Sequence, residues 1–101
     1  MANKQKQKGN RFEYQVRDTF IDNGIECVRS YGSDGRSLGL DKEVDLLVKH
    51  KGKQYTVQCK VRKKISSFIK PSDDIYAQVI KEDRGDVVCI IRLTDFIELI
   101  T

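Results

Sequence analysis

Residues 43–60 read EVDLLVKHKGKQYTVQCK. Two runs rich in β-branched, aromatic and leucine side chains flank a short basic segment centred on Gly52, which is the pattern of a β-hairpin. If the hairpin closes on Lys49 and Gln54, Asp45 falls directly across from Gln58. Opposed residues share a face of a sheet, and the period of two brings Lys60 onto it as well. Tyr55, Val57, Cys59 and Val61 then point the other way, toward a core. A two-residue loop keeps this pairing, whereas a three-residue loop shifts it by one and sets Asp45 against Val57.

A carboxylate, an amide oxygen and an ammonium gathered on one face have a definite chemistry. Carboxylate and amide oxygens are hard ligands, and an incomplete set of them suits Mg²⁺ that retains waters and meets a substrate phosphate. A lysine beside them orients an attacking water or offsets charge developing on phosphorus, and the combination points to phosphodiester hydrolysis. Aspartate is depleted in strands, which argues for a role at Asp45, although a salt-bridging or strand-start aspartate is the plainer reading. Gln58 and Lys60 by themselves would be an ordinary solvent-facing pair on an edge strand.

The rest of the chain arranges itself around this hairpin. Residues 1–9 are polar and basic without a period and are expected to form a flexible arm, followed by one domain over residues 10–101. Phe12, Val16 and Phe20 recur at helical spacing, so a helix is expected from about 11 to 23, with Asn10 as N-cap and Gly24 ending it. Glu13 either completes a capping box with Asn10 or turns with Val16 and Phe20 toward the packed side. IECVRSYG reads as a strand, and GSDGRSLGLDK (residues 32–42), with three glycines and two serines, reads as a loop of functional length. A helix opened by Pro71 and Ser72 is expected to run to about residue 83, then a buried strand in GDVVCIIRL, then a short helix DFIELI capped by Thr94. The order is αβββαβα, an α/β layer of helices on a mixed sheet.

Charge and cysteine usage narrow the function classes. Charged residues make up 34% of 101 residues, with 19 Lys and Arg against 15 Asp and Glu for a net +4. The excess clusters at Lys4, Lys6, Lys8 and Arg11, around the turn, and at Lys60, Arg62, Lys63 and Lys64. Such clusters fit phosphate contacts, although a solvated face is the commoner meaning of a charge run. Cys27, Cys59 and Cys89 are odd in number and widely spaced, which suggests neither a disulfide framework nor a zinc site. No apolar leader and no stretch long enough for a membrane span is seen, so a soluble, intracellular protein is expected.

Asp45, a hairpin gap and then Gln58-x-Lys60 resembles the core motif of the PD-(D/E)xK nuclease superfamily, with glutamine at the position where glutamate is commoner. The preceding helix with Glu13 and the Gly/Ser loop are most similar to archaeal Holliday junction resolvases, small homodimeric Mg²⁺-dependent endonucleases. The VQCK string below a Gly-rich loop also resembles Mrr-type restriction endonucleases. The likeness spans about residues 8–64. Two departures stand out: Val44 precedes Asp45 where the motif has proline, and Gln58 removes a negative charge from the metal site.

The resemblance implies a restriction-endonuclease-like core with flanking helices, cutting four-way DNA junctions as a homodimer. It implies catalytic roles for Glu13, Asp45, Gln58, Lys60 and a loop serine; Ser33 is the best match, with Ser30 and Ser37 as competitors. Mg²⁺, replaceable by Mn²⁺, would be held by Asp45, Gln58, the Cys59 backbone carbonyl and Glu13 through water. Expected DNA contacts are Lys4, Lys6, Lys8, Arg11, Arg29, Arg36, Arg62, Lys63 and Lys64, and the expected place is the cytoplasm or nucleoid, or the host cytoplasm for a viral protein. The rivals are an Mrr-like enzyme cutting duplex DNA and a pseudo-nuclease that binds nucleic acid without cutting.

Overall fold

In a computed structural model of the chain, residues 4–30 and 35–101 are described. They divide into two compact units, Met1–Val61 and Arg62–Thr101. The first holds α1 (Lys4–Asp22), β1 (Glu26–Arg29), a 3₁₀ turn (Gly35–Leu38), β2 (Leu46–His50) and β3 (Lys53–Val57). The second holds β4 (Gln78–Lys81), β5 (Val87–Ile90) and α2 (Leu93–Ile100).

In the first unit the strands form an antiparallel sheet in the order β1-β2-β3, with α1 packed on β1 and more lightly on β2. The core lies between them: Phe20, Ile25, Leu46 and Val48 are all at most 1% exposed, and Val16 and Cys27 are buried beside them. Fully burying one such side chain is worth about 1.5–3 kcal/mol, so this cluster carries much of the unit's stability. α1 ends as its sequence predicts. Gly24 is left-handed (φ 76°), its N–H donates to the Ile21 carbonyl at 2.9 Å, and the Ile25 N–H reaches back to the Phe20 carbonyl at 3.0 Å. This is a Schellman closure, and its hydrophobic contact is the buried pair Phe20 and Ile25.

The hairpin turn is Lys51-Gly52, both with positive φ (52° and 77°), and the ladder runs from His50↔Lys53 through Lys49↔Gln54 to Leu46↔Val57. Two residues of positive φ make the turn whose twist matches that of the strands. The expected register is therefore the observed one along the strands. In the loop before β2, Gly35 is needed for close approach: a Cβ there would overlap the Asp41 carbonyl oxygen and come within 2.8 Å of Val44 Cβ.

Several sequence expectations are corrected. α1 starts at Lys4 rather than at residue 11, because the Gln- and Lys-rich segment before Phe12 favours helix despite Gly9, and Asn10 lies inside the helix rather than capping it. The expected helix over 71–83 is absent. Gln78–Lys81 instead forms β4, paired antiparallel with β5 through a turn in which Arg84 takes φ 55° and Gly85 donates to Glu82. The β-branched pair Val79-Ile80 ahead of a tight turn favours a strand over the helix that spacing alone suggested. The sheets are thus two antiparallel ones rather than one mixed sheet, and the order is αβββββα. β5 is not the buried strand expected: Val87 and Val88 are 60% and 51% exposed, because a two-stranded hairpin has a short helix as its only companion in this unit. α2 begins at Leu93 after Arg92, and Thr94 is not its cap.

Ser30 locks the entry to β2. It is fully buried, its N–H donates to the Asp45 carbonyl at 2.9 Å, and its hydroxyl reaches the Val44 and Asp45 carbonyls at 2.9 and 3.1 Å. Replacing Ser30 by Ala leaves buried carbonyls short of a donor and is expected to cost about 1–3 kcal/mol. A urea titration should show a lower midpoint with an unchanged slope; an unmoved midpoint would show that the hydroxyl does not brace this strand.

Candidate functional site

Asp45 sits where the ladder changes. The Ser30 bond adds a rung to the β1–β2 pairing, but on the other side the Asp45 N–H donates to the Val57 carbonyl at 2.9 Å, although Val57 already pairs with Leu46. Two residues of one strand thus face one residue of its partner, which is a β-bulge, a device that re-aims side chains. The expected pairing of Asp45 with Gln58 is corrected accordingly: the extra residue places Asp45 against Val57. Strict alternation is lost there, and Asp45 and Leu46 are both buried, Asp45 at 7% exposure.

The aspartate is held by the motif's own backbone. The Cys59 N–H donates to Asp45 Oδ2 at 2.7 Å, so the carboxylate is fixed against the peptide between Gln58 and Cys59. A charge-assisted bond of this kind is worth about 1.5–3 kcal/mol and lowers the cost of burying the carboxylate. Through β3 and the residues after it, the less exposed positions Tyr55, Val57 and Cys59 alternate with exposed Gln54, Thr56, Gln58 and Lys60, as the period of two predicts. Val61 departs from the pattern at 38% exposure.

Glu13 is on the packed side of α1, at 6% exposure, rather than in a capping box. Its Oε1 accepts from Arg29 Nε at 2.9 Å, while another nitrogen of Arg29 donates to Asn10 Oδ1 at 3.1 Å and the guanidinium lies 4.7 Å from the Tyr14 ring centroid. Arg29 is thereby turned inward, and its visible work is to orient Glu13. The Asp45 and Glu13 carboxylates both bear on the Cys59 thiol: burial first, then these charges, push it up to about 12. Cys59 is therefore a protonated thiol at neutral pH and no nucleophile, in agreement with its expected place facing the packed side.

The groups expected to serve a metal with Asp45 are all oxygens: its own carboxylate, Glu13, the Gln58 amide and the Cys59 carbonyl. Among the described residues no three His, Cys, Asp or Glu side chains gather to hold a metal ion. A site here leans instead on the amide and carbonyl oxygens, and such a sparse hard set fits Mg²⁺ with retained waters rather than zinc. Gln58 and Lys60 are exposed on the stretch that follows β3. Lys8, Arg11 and Arg36 are also exposed, and Lys4 and Lys6 lie in α1. Ser33 lies outside the described residues, and of its competitors Ser30 is structural in the sense given above. The sequence reading missed the bulge, which leaves no mark in residue type, and the inward role of Arg29.

A helix-borne glutamate, a buried aspartate at the entry of a hairpin and a Gln-x-Lys exit from it are the features on which the resemblance to a small nuclease rests. The family model described as archaeal Holliday junction resolvase (Hjc) matches residues 4–92, and the chain belongs to that family. Membership indicates a nuclease that resolves DNA junctions. No curated protein and no solved structure matches the chain. No helix among the described residues is long and apolar enough to cross a membrane.

The cysteines supply a check on this packing. Burial also pushes Cys27 up, to about 11, from about 9, whereas Cys89 is exposed. At pH 8 the thiolate fractions of Cys27 and Cys59 are on the order of one in a thousand and one in ten thousand. Iodoacetamide followed by mass spectrometry should therefore label Cys89 well ahead of the other two, with equal labelling contradicting the packing around Glu13 and Asp45. The raised values also make stability fall as pH rises from about 9 to 12, because the unfolded thiols ionise first.

Proposed function

We propose that the chain is a Mg²⁺-dependent endonuclease that cuts four-way DNA junctions as a homodimer. The observation that carries this reading is the buried Asp45 carboxylate bound at 2.7 Å to the backbone of the Gln58-Cys59-Lys60 segment. That bond links the two halves of the motif in space. Asp45, Gln58, the Cys59 carbonyl and, through water, Glu13 would hold the metal. Mg²⁺, or Mn²⁺ in its place, supplies Lewis-acid polarisation of the scissile phosphate when bound.

The chain's own groups do the rest. Asp45 is oriented by Cys59 N–H, and Glu13 by Arg29, so neither carboxylate has to be ordered when substrate arrives. Lys60, exposed one residue after Cys59, orients the attacking water and offsets charge on the phosphorane. A loop serine, Ser33 in this reading, contacts the substrate phosphate. Affinity comes from the cations at Lys4, Lys6, Lys8, Arg11, Arg36, Arg62, Lys63 and Lys64, with Arg29 acting through Glu13. The family match runs across both compact units, which supports their acting together as one nuclease domain, with Lys4, Lys6 and Lys8 carried on α1 rather than on the flexible arm expected over residues 1–9. An enzyme of this kind works inside the cell or, for a virus, inside the host.

Two symmetric nicks require two sites, and each chain has one. A twofold dimer supplies both. The second unit offers apolar material for its interface: Val79, Val87, Val88 and Leu99 are each more than half exposed. Val79 and Val87 share one face of the β4–β5 hairpin and Val88 the other, so this apolar material is offered on both faces.

The deciding experiment incubates one labelled four-way junction and one linear duplex of the same sequence with Mg²⁺. Wild type should cut the junction at paired positions, while Asp45→Asn and Lys60→Ala should bind it and leave it whole. Mixed dimers of wild type and Asp45→Asn should nick one strand without completing resolution. Preferential cutting of the duplex would move the protein to the Mrr-like reading, and binding without cutting by wild type would make it a pseudo-nuclease.

A second test concerns the metal. Gln58→Glu restores a carboxylate to the ligand position and is expected to keep activity while lowering the Mg²⁺ concentration needed for half-maximal rate, by several-fold. A superimposable metal titration would remove Gln58 from the ligand set.

A further inference from the structure

The second unit contains a concave site that the nuclease chemistry does not use. A cleft of about 700 Å³ is lined by Arg62, Lys63, Lys64 and Lys70, with Asp73 the one acid on its wall. None of these four cations takes part in the ion pairs among the described residues, whereas Arg17, Arg29, Lys49 and Arg92 each have an acidic partner. Four unneutralised cations around one concavity repel one another and persist at a cost unless an anion meets them. Ser67 and Ser72 add hydroxyl donors to the same wall.

The walls are built rather than loose. Arg92 donates to the carbonyls of Pro71, Ser72 and Ile75 at 2.9, 3.3 and 3.1 Å, tying the 71–75 segment to the root of α2. Gln78 donates to the Phe68 carbonyl. The Ile69 and Lys70 N–H groups both close on the Ser66 carbonyl, at 2.9 and 2.8 Å, which sets the turn that carries Lys70. Pro71 is buried at the centre of this arrangement while the residues around it are exposed. Hydrogen bonds are thus spent on shaping a polar surface segment that has almost no core of its own.

We propose that this cleft is a phosphate-binding site that grips the sugar–phosphate backbone of DNA, with Lys70 as a contact residue and Arg92 as the residue that positions its wall. The proposal rests on the DNA-cutting reading above and names where in the second unit the substrate is held. The ammonium, guanidinium and hydroxyl donors of the lining are phosphate-binding groups, and phosphate contacts fix position on the nucleic acid without reading its sequence.

The test uses the full chain and two probes. Inorganic pyrophosphate, added without DNA or metal, should shift the NMR signals of Lys70, Ser67 and Ser72. Junction affinity measured over a salt series should give a log–log slope flatter by about one for Lys70→Ala, because one phosphate contact contributes roughly 0.9. Lys70→Arg should restore the slope. Lys81→Ala, which removes an equal charge from the same unit outside the cleft, should leave the slope closer to that of wild type. No pyrophosphate shift together with an unchanged Lys70→Ala slope overturns the proposal, and so does an equal effect at Lys81; wild-type cleavage of the junction would still stand. Conversely, pyrophosphate binding in a protein that neither binds nor cuts junctions would overturn the proposed grip on DNA and the resolvase reading with it.

Discussion

A buried carboxylate has to be satisfied, and at Asp45 a single backbone N–H does this. The bond from Cys59 to Asp45 Oδ2 joins the entry of β2 to the exit of β3, two segments separated by the whole hairpin. It forms because the bulge at Val57 takes Asp45 out of alternation and lets the chain after β3 come round to it. Without that bond the carboxylate would carry its desolvation cost alone, a penalty that buried charges avoid by pairing or protonation. The strand entry, the buried core residue Leu46 beside it and the placement of the Gln58-Cys59-Lys60 segment all depend on this contact.

The other side of the site is supported by a second constraint, the inward turn of Arg29. Its guanidinium bridges Glu13 and Asn10 on α1 and stacks on Tyr14, so a single side chain of β1 fastens the helix at the level of the carboxylates. Breaking a buried ion pair by removing one partner is far more damaging than never having had it, because the charge left behind is uncompensated. Glu13 is thus committed in position, and the packing of this helix face depends on the pair. Burial first, and then the charges of Asp45 and Glu13, raise the Cys59 thiol.

The two units differ in how they are held. The first has a hydrophobic centre between helix and sheet, with Phe20, Ile25, Leu46 and Val48 sealed off. The second has Ile97 and Pro71 as its buried residues and leans on hydrogen bonds from Arg92 and Gln78 to loop carbonyls. A unit of that size buries little apolar surface by itself, which is consistent with its exposed valines.

The sequence determined the parts whose signal is local. Gly24 needs a left-handed φ and ends α1; Lys51-Gly52 makes the tight turn; β-branched and aromatic runs on either side fix the hairpin and its register. The order Asp45, hairpin, Gln58-x-Lys60 is written in one dimension, and the helical stripe of Val16 and Phe20 offered the packed side for Glu13 alongside a capping box with Asn10, which the helix start at Lys4 removes. What only the tertiary structure decided depends on contacts between distant segments. The bulge at Val57 arises from how β2 meets both neighbours, and Arg29 was read as a DNA contact because nothing in its own sequence neighbourhood reveals Glu13 and Tyr14 waiting sixteen and fifteen positions earlier. The misread helix over 71–83 has the same origin: Ile75, Val79 and Ile80 fit a helical stripe, and only pairing with β5 tips them into a strand. Apolar spacing says which residues seek cover, but the partner that provides it is a property of the folded chain.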